Sequence, residues 1–260
     1  MNRSVRVAVT RDLSPRFAEC ELTHLAREPI DLPRAVAEHA AYRAALVALG
    51  VQVLELPASE SHPDCVFVED TAVVFEECAV ITRPGAASRR GETPVVAAAL
   101  SPFRLLLHIE APGTLDGGDV LVLDRQVFVG ATERSNAEGI AQLARLLSPY
   151  GYRVQPVPVR GCLHLKSAVT AFAPGRLLIN PAWIERAHFP GCEVIEVDPA
   201  EPAAANVLAV GERVICARHY PRTLARLRAA GIEALPVDAG EVSKAEGAVT
   251  CCSVVFDVVP

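Results

Sequence analysis

The chain has 260 residues, a formal net charge of −6 and 51% apolar residues. That length supports a sizeable core and excludes a small disulfide scaffold, and no apolar run is long enough to span a bilayer. An acidic balance without blocks of like charge argues against a nucleic-acid surface.

In chain order, Val5–Val9 alternates like a strand and offers no signal-peptide core, so a cytoplasmic protein is expected. Pro33 to Leu49 predicts an amphipathic helix with Pro in its first turn and Gly50 at its stop. A short apolar strand, Leu54–Pro57, follows, then a predicted strand pair, Cys65–Phe67 with Val73–Phe75. Thr93 to Leu100 opens the next helix, followed by Leu107–Glu110 and the pair Val120–Leu123 with Val127–Val129. Asn136 to Leu147 places Ile140, Leu143, Ala144 and Leu147 on one helical face. After it come Val154–Val157 and the pair Ala168–Phe172 with Leu177–Ile179. Pro181 to Phe189 predicts a fourth helix, with Val194–Val197 and Val207–Val210 paired to Val214–Cys216 behind it. Pro221 to Ala230 predicts the fifth, before Ala234–Val237 and the closing run Val254–Phe256.

The strand after each helix recurs at Leu54, Leu107, Val154, Val194 and Ala234, a repeat of roughly 40–50 residues that signals stacked supersecondary units. Helices alternating with strands make the class α/β. The fifth copy ends at Val254–Phe256, so the N-terminal strand must complete it. The expectation is one domain, residues 1–260, of five modules about a central axis.

In such a ring the inter-strand loops converge at one end. Copy one brings Asp64, Glu69 and Asp70; copy two Asp116 and Asp119; copy three His164; copy five Glu246 and the adjacent Cys251 and Cys252. Copy four offers only "EPAAAN" and reads as inert. An acid, a histidine and a cysteine at matched places form a nucleophile, base and orienter set. Singly each has a plainer reading: the histidine as a structural residue and "DGGD" as a hairpin turn. The eight cysteines show no C-x-x-C pair and no zinc-ligand spacing, so most read as small buried hydrophobes. On a strand, neighbouring side chains face opposite ways, so only one of Cys251 and Cys252 is expected to reach the pocket.

The segments "PDCVFVEDTAVV", "ITRPGAASRRGE", "LDGGDVL", "FVGATERSNAEG", "HLKS" and "GAVTCCSV" together resemble the dimethylarginine dimethylaminohydrolases (dimethylargininases) of the guanidine-modifying pentein superfamily. The resemblance implies a five-bladed α/β propeller of ββαβ-type modules and hydrolysis of Nω-methylated arginines to citrulline and a methylamine. It implies Cys251 as nucleophile, His164 as general acid and base, and Asp116 as the acid that holds the histidine. It assigns Asp70, with Glu69 beside it, to the guanidinium, and Arg89 and Arg134 to the substrate α-carboxylate. Asp64 and backbone groups of Leu22 and Ala245 supply the remaining contacts. No metal or organic cofactor is implied, and the partner is a small methylated arginine, with neither nucleic acid nor membrane; a homodimer is compatible with it. The alternatives are another guanidine-modifying enzyme, such as an arginine deiminase or amidinotransferase, and a non-catalytic propeller that binds without reacting.

Overall fold

Each of the five repeats becomes a three-stranded sheet in the computed structural model, which describes residues 4–258. The chain opens with β1 (Val5–Arg11), α1 (Leu32–Ala48) and β2 (Gln52–Leu56). Next come β3 (Ala72–Val74), β4 (Cys78–Ile81), α2 (Thr93–Leu100) and β5 (Leu105–His108). The third stretch is β6 (Val120–Leu123), β7 (Gln126–Ala131), α3 (Ala137–Leu147) and β8 (Arg153–Pro158). Then follow α4 (Leu165–Ala168), β9 (Val169–Ala173), β10 (Arg176–Ile179) and β11 (Glu193–Glu196). The chain ends with β12 (Val207–Val210), β13 (Arg213–Ala217), α5 (Pro221–Ala229), β14 (Glu233–Val237), α6 (Gly240–Ser243) and β15 (Val254–Val258).

All five sheets share one pattern. A middle strand pairs antiparallel with the strand before it and parallel with the strand that returns after the crossover. The sheets are β3–β4–β5, β6–β7–β8, β9–β10–β11, β12–β13–β14 and β15–β1–β2. The last joins the two ends of the chain, with Val7 opposite Phe256 and Val9 opposite Val254, as the repeat predicts.

The middle strands are buried along most of their length, as at Val7–Val9, Ala79–Ile81, Val127–Val129, Leu177–Ile179 and Val214–Cys216. That explains why they read as apolar runs and not as alternating patterns. Five buried clusters bind the sheets in a cycle. Val80 shares a cluster with Val120 and Val127, Phe128 with Leu177, and Leu178 with Val214. Ile215 shares a cluster with Ala8 and α1, and Val7 and Val9 share one with Ala79 and Ile81. Each sheet therefore packs on the next, and the last returns to the first. The leading strands β3, β6, β9, β12 and β15 line a common cavity of about 1060 Å³.

Two expected elements differ. The stretch 181–189 forms only a short 3-10 turn, Arg186–His188. Its buried apolar residues Ile184 and Phe189 lie five apart, which no single helix face accommodates. The Asn180 side chain also accepts from Ala182 N at 2.9 Å and donates to Pro202 O at 2.8 Å, which turns the chain away from a helix. Cys65–Phe67 is not a strand: it lies in turns ahead of the 3-10 segment Val68–Thr71. The hairpin is instead β3–β4, closed by Phe75 N to Cys78 O at 2.8 Å around Glu76 and Glu77.

Candidate active site

The chemistry-bearing residues stand just ahead of the five leading strands. Glu69 and Asp70 sit in the 3-10 turn before β3, Asp116 to Asp119 before β6, and His164 at the N-cap of α4 before β9. Asn206 precedes β12, and Cys251 occupies the turn before β15. The folded repeat thus brings together residues that are far apart in sequence.

His164 is buried, with Nε2 3.0 Å from Asp116 Oδ2 and Nδ1 3.8 Å from Asp70 Oδ1. The "LDGGD" segment is not a hairpin; it is a close-packed loop. A Cβ on Gly118 would stand 2.6 Å from His164 Nδ1 and 2.7 Å from Asp70 Oδ1, so the loop passes between them only as glycine. Gly118 N donates to Asp70 Oδ1 at 3.0 Å. Asp119 makes no hydrogen bond to the imidazole, although its charge acts on it. It accepts from Leu165 N at 3.0 Å and from the hydroxyls of Thr132 and Ser135, both at 2.6 Å. Ser135 Oγ in turn accepts from Asp116 N at 3.1 Å, so Asp119 braces both sides of the His164–Asp116 pair.

Burial and charge pull the titrations apart. Burial disfavours a charged His164, but Asp70 and the Asp116 hydrogen bond outweigh it and push the imidazole up to about 9. Burial likewise works against an ionised Asp70, yet His164 and Arg89 hold it well below the usual carboxylate range. The Cys251 thiol is pushed far up by burial, then by Glu69 and Asp70. Burial raises Asp64 and Asp119 to about 6. With no ligand bound, the site therefore holds an imidazolium beside a protonated thiol at neutral pH.

Cys251 faces a narrow cavity with His164, Asp70, Asp64, Arg89 and Arg134, closed above by Glu21 and by Ala245 to Gly247. It encloses about 20 Å³, room for roughly one water molecule. Cys252 is buried behind it, its Sγ 3.6 Å from Ala248 O and its side chain among the core residues around Tyr42. The two cysteines are thus separated by a turn, not by strand alternation.

Arg89 is held tightly. Nη1 donates to Asp70 Oδ2 at 2.6 Å, Nε and Nη2 to Glu92 at 3.2 and 2.9 Å, and Nη2 also to Phe67 O at 3.0 Å. Much of its donor capacity is spent on the protein, whereas the resemblance implies a group that grips the substrate α-carboxylate. Arg134 is less committed; its Nη2 donates to Thr23 Oγ1 at 2.9 Å. Asp64 accepts from Glu21 N through both carboxylate oxygens.

Three expected residues lie off the cavity wall. Asp116 stands behind His164. Leu22 packs half-buried on the core. Glu69 points the other way, toward the axial cavity, where it accepts from Lys166 Nζ and Thr250 Oγ1, both at 2.7 Å.

Sequence reading passes over Glu92, Thr23, Ser135, Gly118, Thr250 and Asn206. Of these, only Glu92, three residues after Arg89, carries a local spacing signal. Asp70, Asp116 and His164 place one possible metal-ligating atom each within 4.8 Å of the others, but their facing atoms already bond one another, Arg89 and Gly118.

The family model for N,N dimethylarginine dimethylhydrolases of eukaryotic type matches residues 24–179. An N(G),N(G)-dimethylarginine dimethylaminohydrolase of Streptomyces coelicolor is 42% identical over 254 residues, 95% of either chain. The enzyme of that name from Pseudomonas aeruginosa is 36% identical over 228 residues, 87% of this chain and 90% of its own. A solved structure of the Pseudomonas protein, a cysteine-to-serine variant with citrulline, superposes with a TM-score of 0.93 at 33% identity, covering 98% of this chain and all of that one. The N-terminal domain of a cyanobacterial arginine dihydrolase shares the fold at a TM-score of 0.82 and 18% identity, covering 96% of this chain and 97% of its own. On the strength of these matches, the chain belongs to the dimethylarginine dimethylaminohydrolase family.

Proposed function

We propose that the chain hydrolyses Nω-methylated arginines, asymmetric dimethylarginine and monomethylarginine, to citrulline and dimethylamine or methylamine, through a covalent intermediate on Cys251. One observation carries the reading: a cysteine, a histidine, two aspartates and two arginines line a single cavity. The names of the bacterial relatives and the citrulline complex of one of them support it. The five cyclically packed sheets are read as the blades of a propeller, and the whole chain as one catalytic domain. Among the described residues no helix is long and apolar enough to cross a membrane, and a cytoplasmic location is proposed.

In this reading Asp70 pairs with the substrate guanidinium, while Arg134 and the uncommitted edge of Arg89 take the α-carboxylate. Asp64 and the Ala245 backbone take the α-amine, and the Leu22 backbone completes that wall. Glu69 acts from behind, through Thr250 and the Cys251 backbone. The cavity is too small for this ligand, so the segment 20–25, which brings Glu21 to the cavity and is tied to Glu246 at residues 23–25, must open to admit it.

The guanidinium brings a positive charge beside a thiol that burial, Glu69 and Asp70 otherwise keep protonated, so the thiol gives its proton to solvent most easily once substrate is bound, His164 keeping its own. The thiolate attacks the guanidinium carbon and gives a neutral tetrahedral adduct. The His164 imidazolium transfers its proton to the alkylated nitrogen, the C–N bond breaks, and dimethylamine leaves a cationic thiouronium on Cys251. The neutral imidazole then takes a proton from water as the water attacks the same carbon. Collapse forms the ureido carbonyl and breaks the C–S bond while the adduct's hydroxyl proton passes to the departing sulfur, which restores the Cys251 thiol, with His164 again protonated and oriented by Asp116. Citrulline and amine assays over dimethylarginine, monomethylarginine, arginine and agmatine test the reading. Equimolar citrulline and dimethylamine from dimethylarginine support it; ammonia from arginine as the main activity would replace it with a deiminase.

A further inference from the structure

The fourth repeat contributes nothing to the cysteine, histidine and acid set, and Glu201 in its loop serves to cap α5 through Arg222 N and Thr223 N. Asn206 at the end of that loop is different. It is 4% exposed and makes three side-chain hydrogen bonds to two other loops. Oδ1 accepts from Thr250 N at 3.0 Å, and Nδ2 donates to Thr250 Oγ1 at 2.9 Å and to Lys166 O at 3.1 Å. The amide orientation is forced, because Thr250 N can only donate and the Lys166 carbonyl can only accept.

That orientation fixes the rest. With Nδ2 donating to it, the Thr250 hydroxyl spends its own hydrogen on Glu69 Oε2, and Lys166 Nζ occupies Glu69 Oε1. Asn206, Thr250, Glu69 and Lys166 form a closed ring drawn from four of the five loops. Every other member is within two residues of a proposed reacting group. Thr250 precedes Cys251, Glu69 precedes Asp70 and donates its N–H to Cys251 O at 3.2 Å, and Lys166 follows His164 by two. Glu69, Lys166 and Thr250 also line the axial cavity, so the ring is the floor beneath the nucleophile.

We infer that Asn206 is a positioning residue, which sets the distance between nucleophile and proton donor by tying the Thr250–Cys251 turn to the His164–Lys166 turn. This rests on the roles proposed above for Cys251 and His164. A displacement of about 1 Å at such a pair costs on the order of 10²-fold in rate, while the contacts of the substrate's amino-acid end at Arg134 and Asp64 lie elsewhere.

The test uses the full chain with Asn206→Ala and Asn206→Asp. The second variant keeps the acceptor for Thr250 N and opposes the Lys166 carbonyl with an oxygen. With asymmetric dimethylarginine, kcat should fall roughly 30–100-fold while KM stays within about threefold. Thr250→Val should give a similar loss, and Asn206→Ala/Thr250→Val should be no slower than the worse single variant, because both act through one ring. Thermal melts identify any variant that fails to fold, and Asn206→Asp, with a near-identical shape, then carries the comparison. Iodoacetamide labelling of Cys251 with peptide mapping reads the turn without substrate, and its rate should change by about fivefold or more in Asn206→Ala. If the wild type releases no citrulline, the functional reading fails, and the labelling rates still decide on Asn206. A folded Asn206→Ala with unchanged kcat and labelling, or with a lower Tm alone, would overturn the proposal.

Discussion

His164 shows how strongly environment governs a single side chain. Burial works against its charged form, yet three carboxylates, Asp70, Asp116 and Asp119, push it up to about 9. If His164 is the proton donor as proposed, its raised pKa keeps that proton in place at neutral pH and removes it as pH rises through about 9, so kcat/KM should fall along an alkaline limb there. Asp116→Asn deletes one of the three stabilising charges and leaves Nε2 only a neutral acceptor, so that limb should move to lower pH. The rate at its optimum should drop by roughly 10²-fold or more. A pH–rate profile that keeps its alkaline limb in Asp116→Asn would separate Asp116 from His164. Arg134 sits at the other end of the cavity and bonds only Thr23 through its side chain among the described residues. Arg134→Ala should raise KM for dimethylarginine roughly tenfold or more, with a smaller effect on kcat. It should also erase the preference for that substrate over agmatine, which has no α-carboxylate; an unchanged preference would remove Arg134 from carboxylate binding. The "HLKS" and "TCCS" segments make Cys251 and His164 legible in sequence. Asn206, Thr250 and Ser135 are not, because each acts through bonds to loops 16 or more residues away.

At the scale of elements, the residues 20–25 strap closes the cavity, and one side chain gathers it. Glu246, in the left-handed region at φ +58°, accepts from Thr23 N at 3.0 Å and from His24 N and Leu25 N. Three backbone amides on one carboxylate hold a segment that is otherwise largely exposed. Glu246→Ala should loosen the strap without unfolding the core. Faster hydrogen exchange at residues 23–25 and a KM several-fold higher, with kcat less affected, would bear that out; unchanged exchange there would count against it. Two helices were legible from Pro33 and Gly50 at the ends of α1 and from the apolar face of α3, and the folded chain caps them with Asp31, which accepts from Arg34 N, and Asn136, which accepts from Gly139 N. The stretch 181–189 misleads because proline and apolar residues supply composition without helical spacing. The β3–β4 hairpin was displaced because the two-residue turn at Glu76 and Glu77 carries neither glycine nor asparagine.

For the whole molecule, the repeat was the most readable feature, since five strand-opening phrases at near-regular spacing imply five packed units. Closure through β1 and β15 follows from counting strands, and the sheet register realises it. What spacing alone does not convey is which loops converge closely enough to react: that depends on Gly117 and Gly118 passing against the Glu69 backbone and His164, and on a fourth repeat that supplies a tie and no chemistry of its own. The central claim is that this convergence makes Cys251 a nucleophile toward the guanidinium carbon. Enzyme quenched in acid during turnover of asymmetric dimethylarginine, digested and mapped by mass spectrometry, tests it most directly. The account predicts a thiouronium adduct on the peptide containing Cys251, located on that residue and absent in Cys251→Ser, which should also be inactive. An adduct on Cys252, or a Cys251→Ser enzyme that still releases citrulline, would contradict it.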